Sequence, residues 1–267
     1  MTVQKLAFPT THVRSQVSEA EWQTRVALAA CYRLVATHGW HDNVYNHISA
    51  SVPGEQNAYL LNPYGMAYEE MTASCLVKVD LEGNILFNPD DTYGVNISGF
   101  IIHGAIHEGR PDLECVIHTH TIAGMAVSAM KCGLLPLNQS AMRFATVAYH
   151  DFEGIAVDKD ECSRLVRDMG DAEVMILRNH GLLAAGRSIP EAFNNLYRLE
   201  RACQVQVQAL SSGTELNVPT PEMVARTSAQ YSRNPAAERN GKSSPLGMLE
   251  WPALLRTLDR RDPSYKS

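Results

Sequence analysis

Cys115-Val-Ile-His118-Thr-His120-Thr121 is the stretch on which the reading of this chain turns. A short apolar run ends in two histidines one residue apart. Residues i and i+2 of an extended segment project to the same side, so both imidazoles can reach one point. Later in the chain a second apolar run, Val174-Met-Ile-Leu-Arg-Asn-His180-Gly181, also ends in a histidine. Two strand-like runs finishing in histidines, the first followed by a helix-like segment, predict a metal held at a strand edge. Three neutral imidazoles suit zinc and also accept iron, cobalt or manganese. The rival reading makes His118 and His120 polar ends of a buried strand and His180 a turn residue. Two imidazoles on one face would then need several protein partners.

The flanking sequence gives the frame. Ile122 to Met130 reads as a helix rich in Ala and Gly for close packing. Thr146-Val-Ala-Tyr149 reads as a short strand, Lys159 to Met169 as a helix, and Leu182 to Ala185 as a strand after the Asn179-His180-Gly181 turn. Ser188-Ile-Pro-Glu191 is a capping box opening a long helix to about Leu210, with proline tolerated in the first turn. On the other side, Ser98 to His107 is helix-like and stops before Pro111. Leu76–Asp80 and Asn84–Phe87, split by Leu81-Glu82-Gly83, read as a hairpin. Tyr59-Leu-Leu-Asn62-Pro63-Tyr64-Gly65 is a strand entering a turn, and Asn43 to Ala50 is strand and loop. Ser18-Glu-Ala-Glu21 caps a helix with Trp22, Val26, Ala29, Tyr32 and Ala36 on one face, ending near His38-Gly39.

Antiparallel pairing followed by alternating strands and helices predicts a sheet covered by helices on both faces. Residues 1–17 are expected to be a loose arm and 18–211 one domain. Residues 212–267, richer in Ser, Pro, Asn and Arg, are expected to form an extension packed on the core or on a neighbouring subunit. It carries a helix from Pro221 and an apolar patch at Leu249 to Leu255.

Composition excludes several classes. Of 267 residues 45% are hydrophobic, and 29 acidic against 23 basic residues give a net charge of -6. With no basic run, nucleic acid is not an expected partner. No apolar run approaches bilayer length, and the N-terminus is too short and polar for a signal peptide, so a cytoplasmic location away from membranes is expected. Cys31, Cys75, Cys115, Cys132, Cys162 and Cys203 are scattered without close pairs and read as buried thiols.

Other candidates are weaker. His103 and His107 share a helix face at i and i+4; a core role is expected for His103 and a surface position for His107. His41 and His47 lie in loop-like sequence. Tyr149-His150-Asp151 follows a strand, where Tyr149 or Asp151 can act as acid or base. Asn46 to Ser49, Pro63-Tyr-Gly65 and Ser98-Gly99 can offer the N–H and hydroxyl groups that anionic substrates need.

These stretches resemble the class II aldolase/adducin family, which includes fuculose-phosphate-type aldolases and ribulose-phosphate 4-epimerases. The resemblance spans roughly residues 20–210 and is specific at His118-Thr-His120 and Asn179-His180-Gly181. It implies an α/β/α three-layer fold, a central mixed, largely antiparallel sheet covered by helices on both faces. It makes His118, His120 and His180 the ligands of one divalent metal per subunit, zinc foremost. It places Asn46, Ser49, Gly65 and Ser98 in the substrate-binding loops. It further implies a homo-oligomer, expected to be a tetramer with sites at subunit boundaries. The family's aldolases carry a glutamate acid/base where this chain has Gly99, which removes that group.

Tyr45-Asn-His-Ile, Leu61-Asn-Pro-Tyr-Gly, Thr72 to Asp80 and Ala123 to Pro136 are most similar to the adducin head and its bacterial relatives. Without the long tail that carries much of adducin's cytoskeletal binding, actin and spectrin are not expected partners. The expected activity is a metal-dependent carbon–carbon lyase, aldolase or decarboxylase, acting on a small hydroxy- or oxo-acid or sugar derivative through a metal-stabilised enolate. A metal-dependent epimerase or isomerase and a non-catalytic adducin-head-like scaffold are the alternatives.

Overall fold

The computed structural model describes residues 10–154, 159–233, 238–239, 242–243 and 246–267. Its centre is an eight-stranded sheet of β1 (His47–Ser51), β2 (Ala58–Leu61), β3 (Val77–Asp80), β4 (Ile85–Phe87), β5 (Cys115–Thr119), β6 (Ala148–His150), β7 (Val174–Leu177) and β8 (Gly181–Gly186). The order is β4-β3-β2-β1-β5-β8-β7-β6. Neighbours run antiparallel except β6 and β7, which are parallel. The helices are α1 (Thr10–Arg14), α2 (Glu19–Thr37), α3 (Ile97–Gly109), α4 (Ile122–Ser128), α5 (Gln139–Met142), α6 (Lys159–Met169), α7 (Ile189–Ser211), α8 (Pro221–Arg233) and α9 (Trp251–Arg261).

Strand alternation sorts the side chains into two cores. Ile117, Ile176 and Leu182 pack with Leu28 and Val35 of α2, Val127 of α4 and Leu196 of α7. On the opposite face Val116, Met175 and Leu183 pack with Ile102 and Ile106 of α3 and Leu165 of α6. The pattern implies a sheet covered by helices on both faces, and the structure has it, in the three-layer, mixed and largely antiparallel form that the resemblance implies.

Local chemistry sets the helix starts. Ser18 Oγ accepts from the Glu21 N–H at 3.1 Å. The Glu21 carboxylate accepts from buried Arg25 at 2.8 Å instead of turning back to the cap. Ser188 Oγ accepts from the Glu191 N–H at 3.3 Å, as the capping pattern requires. Helix α4 sits so close to β8 that a Cβ on Gly124 would lie 2.6 Å from Leu182 Cγ.

The short helix α1 buries Val13 beside Trp22 and Ala73. Trp251, Leu258 and Tyr265, all beyond residue 246, are buried in the same core as α2. There the Ala73 and Ser74 N–H groups donate to the Tyr265 and Ser267 carbonyls at 2.9 and 3.0 Å.

Two expectations are corrected. Cys132 is exposed and Cys162 half-buried, while the other four cysteines are buried thiols. Cys132 lies in the exposed turn after α4, at the edge of the layer that α7 forms, with its Sγ 4.0 Å from Gln206 Nε2. His107 is buried, not at the surface, because α3 lies across β1 with His103 and His107 facing the sheet.

Candidate metal centre

His118 is the fourth residue of β5, and His120 follows one residue beyond the strand's end. His180 comes from the β7–β8 turn. That turn needs a left-handed residue, and Asn179 supplies it at φ 55°. The turn is tied to the end of α4 by Asn179 N–H donating to the Ser128 carbonyl at 3.2 Å and Arg178 Nη1 donating to the Met130 carbonyl at 2.8 Å. Gly181 lets the turn approach β5, since any Cβ there would collide with the Thr119 carbonyl.

The three rings meet at their Nε2 atoms. His118 and His120 Nε2 are 2.8 Å apart, and His120 and His180 Nε2 are 3.0 Å apart. One ligand atom from each of the three residues lies within 4.8 Å of the others. Outer partners fix the tautomers. His118 Nδ1 donates to the Leu182 carbonyl at 3.0 Å. His120 Nδ1 donates to the Asp42 carboxylate at 3.1 Å. With those Nδ1 atoms protonated, the facing Nε2 atoms carry lone pairs, an arrangement that repels itself unless a cation lies among them. Burial, reinforced by the neighbouring imidazoles His47, His180 and His120, holds His118 well below the ordinary histidine range. Burial and then His120 push His180 down to about 4. Both are therefore neutral and available as ligands at neutral pH. The donor set fits zinc or a similar divalent ion with positions left open for substrate.

The sequence did not point to Asp42, which reaches His120 from a loop far upstream. Asn46 anchors that loop: its Oδ1 accepts from the Asp42 N–H at 2.7 Å. Asn46 Nδ2 is buried and has no partner among the described residues.

The remaining expected site residues are dispersed. Ser49 is fully buried, with its hydroxyl between His103 Nδ1 at 2.5 Å and His107 Nε2 at 2.7 Å. Gly65 is exposed, in a turn at φ +109° against Tyr93. Ser98 sits in the first turn of α3, and its side chain lies outside the described residues.

Tyr149 does not join the cluster. Register explains this. His118 pairs with Leu183, which pairs with Met175, which pairs with Ala148. Tyr149 is one residue out of phase and faces the other side of the sheet. Its hydroxyl accepts from the Leu134 N–H at 3.0 Å, and its ring carries the Arg178 guanidinium 4.3 Å from the centroid. Asp151 is exposed and lines the same recess as His180, together with Phe152 and Arg178.

A second histidine group lies directly behind the cluster. His47, placed in a loop by its sequence context, pairs with His118 across β1 and β5, with ring centroids 5.1 Å apart. It fills the room beside Gly99: a Cβ on Gly99 would lie 2.6 Å from its Cδ2 and 2.8 Å from its Cγ. Burial holds His47 and His103 well below the ordinary value, and His107 at about 4.

The sequence profile of the Class II Aldolase and Adducin N-terminal domain matches residues 26–207. A crystal structure of an aldolase II superfamily protein from Pseudomonas syringae is 47% identical, covers 96% of this chain and 100% of that one, and superposes with a TM-score of 0.89. Rat alpha-adducin is 43% identical over 240 residues, 88% of this chain but 33% of its own length. The L-fuculose 1-phosphate aldolase from Glaciozyma antarctica shares the fold, with a TM-score of 0.78, 24% identity, and coverage of 99% of this chain and 97% of that one.

Proposed function

The chain belongs to the family of class II aldolase and adducin N-terminal domains, and on that premise we propose that it is a divalent-metal-dependent carbon–carbon lyase for a small hydroxy- or oxo-acid or sugar derivative. The observation that carries this reading is the convergence of the His118, His120 and His180 Nε2 atoms. Those three residues would hold the ion, zinc foremost, and Asp42 would fix the orientation of His120. A bound divalent ion supplies Lewis-acid polarisation of a substrate oxygen, so that charge developing as the carbon–carbon bond breaks is stabilised.

The chain's own residues supply the rest. Asp151, exposed and lining the same recess as His180, would hold or move a proton. Asn46, whose buried Nδ2 has no partner among the described residues, would offer a side-chain donor to substrate. Tyr149, whose hydroxyl oxygen accepts from the Leu134 N–H on the other side of the sheet, is given no proton to carry in this reading. Exposed Ile122 follows His120 by two residues and the exposed Phe152 ring lies 6.3 Å from that of His180, and a neighbouring copy in a homo-oligomer would cover them. Among the described residues no helix is long and apolar enough to cross a membrane.

The test is a panel of hydroxy- and oxo-acids and sugar phosphates incubated with the zinc-loaded protein. Released aldehyde or CO2 is expected, together with its loss in His120→Ala. Turnover unchanged in that variant contradicts the proposal. Two observations favour a second reading, an adducin-head-like scaffold. Gly99 gives the site no side chain of its own, and alpha-adducin is 43% identical. Bound zinc with no turnover across the panel would favour that reading.

A further inference from the structure

Helix α7 carries a stripe that serves neither the sheet nor the histidine cluster. Pro190, Phe193, Asn194, Tyr197, Arg198 and Arg201 recur at the three- and four-residue spacing of one helix face. With His38 at the end of α2 and Glu250 and Trp251 at the start of α9, they surround a cavity of about 460 Å³. Pockets that take small molecules span about 300–1,000 Å³. The walls are rings. Phe193 and Trp251 have centroids 6.0 Å apart, and His38 lies 6.0 Å from Phe193 and 5.9 Å from Tyr197. Burial, then Arg261, hold the His38 pKa below the ordinary value, so at neutral pH this ring adds surface and no charge. One edge is cationic. The Arg198 and Arg201 guanidiniums stand 6.0 and 5.9 Å from the Tyr197 ring centroid, and Arg201 Nη1 donates to the Tyr197 hydroxyl at 3.4 Å. Arg198 is half-buried, and neither arginine is in an ion pair among the described residues. Buried Asn194 completes that edge. Its Oδ1 accepts from Arg143 Nη1 at 2.5 Å, which leaves its Nδ2 as the donor for an occupant. Arg143 is itself a buried cation behind the wall. Burial and then the nearby Arg198 lower its pKa, with Glu173 and Glu191 acting the other way.

We propose that this cavity is a second ligand site, for a small aromatic carboxylate whose ring lies among Phe193, Tyr197 and Trp251 and whose carboxylate meets Arg198 and Arg201. Two features select that class. Aromatic walls favour a flat ring, which they meet edge-on or offset, and a guanidinium presents paired N–H groups that match the two oxygens of a carboxylate. Charge sets the count. Two guanidiniums against the rim carboxylate of Glu250 leave one positive charge among the lining residues, which a monocarboxylate neutralises. An amine of the same shape meets the arginines with like charge. A bare inorganic anion leaves the rings uncovered. The cavity shares no lining residue with the recess beside His180, so the site stands independently of the metal-centre reading.

The test is a titration of the full-length, zinc-loaded protein with 4-fluorophenylacetate, followed by fluorine NMR, beside 4-fluorophenethylamine as the same ring with the opposite charge. The carboxylate is expected to bind with a Kd of about 1 mM or tighter, and the amine about tenfold more weakly or worse. A zinc ion also attracts carboxylates, so the titration is repeated on zinc-free protein, where the binding is expected to persist. Arg198→Gln/Arg201→Gln removes the cationic edge at half-buried and exposed positions and should weaken the carboxylate about tenfold. Leu254→Trp, at a half-buried lining position on α9, fills the cavity without removing a charge and should weaken it as much. Circular dichroism and zinc content are expected to stay unchanged in both variants. Equal binding of amine and carboxylate, binding that vanishes with the zinc, or binding that both variants leave intact overturns the proposal. So does no binding at about 10 mM carboxylate, well above the expected Kd. If that failure comes with a smaller assembly of the double variant in sedimentation, the cavity belongs to an acidic side chain of a neighbouring copy instead.

Discussion

Replacing Gly99 by alanine sets two known effects against each other, and the structure says which wins. Alanine in place of glycine in a helix is favourable by up to about 1 kcal/mol, and less so at position 99, in the first turn of α3. Against this, the new Cβ would stand 2.6 Å from His47 Cδ2, 2.8 Å from Cγ and 3.0 Å from Nε2. Ordinary carbon contacts need about 3.5 Å or more, so the ring must yield by nearly an ångström. It is poorly placed to do so, because β1 fixes its backbone and His103 holds its Nδ1 at 2.9 Å. Overpacking of this kind costs about 1–3 kcal/mol. The net expectation for Gly99→Ala is a loss of about 1–2 kcal/mol, read as a lower urea midpoint at fixed protein concentration. His47→Ala creates the missing space, so in the double variant the two losses should fall short of their sum by about 1 kcal/mol or more. If Gly99→Ala raises the midpoint, helix propensity is acting alone and the close approach of His47 to α3 is refuted.

Three further outcomes follow from the same geometry. Asp42→Ala removes the acceptor of the His120 Nδ1 proton and should weaken zinc binding about 10–100-fold in chelator competition; an unchanged affinity contradicts the role given to Asp42. Burial holds His107 at about 4, below its unfolded value of about 6.5. Between those values the unfolded chain binds the extra proton, so stability is full above about 6.5 and falls as the pH drops toward 4. One group with that displacement accounts for about 2 kcal/mol lost by pH 5. His107→Gln should abolish that share of the difference in urea midpoint between pH 7.5 and pH 5, and an identical pH loss in both proteins contradicts it. Tyr149→Phe leaves the Leu134 N–H without its acceptor and should cost about 1 kcal/mol while zinc affinity stays the same; a weakened metal site would return Tyr149 to the cluster.

Much of this was legible in the residues, and the failures have physical causes. The His118-Thr-His120 spacing and the apolar run ending at His180 announced strand ends because alternation is a local property of a strand. Which face a strand presents is not local. Tyr149 and His150 differ by one position, and only the register through β7 and β8 to β5 shows that Tyr149 points away from His118. His47 was hidden because one turn-rich segment precedes it and its strand is five residues long. Its signal was the alternation of His47, Ser49 and Ser51 matched to the four-residue spacing of His103 and His107, which becomes visible once β1 and α3 are known to face each other. Asp42 sits in an exposed loop with no periodicity to read. Helix α5, four residues capped by Asn138, is too short to show a period. Helix α9 lay in a stretch recognisable as apolar but not as helical, because its buried side chains Trp251 and Leu258 gain their meaning from packing over α2.

The central claim is that three imidazoles grip one divalent ion. Its most direct test is metal analysis of protein reconstituted with zinc and then desalted, beside a His118→Ala/His180→Ala variant whose fold is checked by circular dichroism. The account predicts one zinc per chain in the first and under a tenth of that in the folded variant, as an order of magnitude for losing two of three ligands. Zinc-free protein after reconstitution, or a variant that retains the full complement, would contradict it.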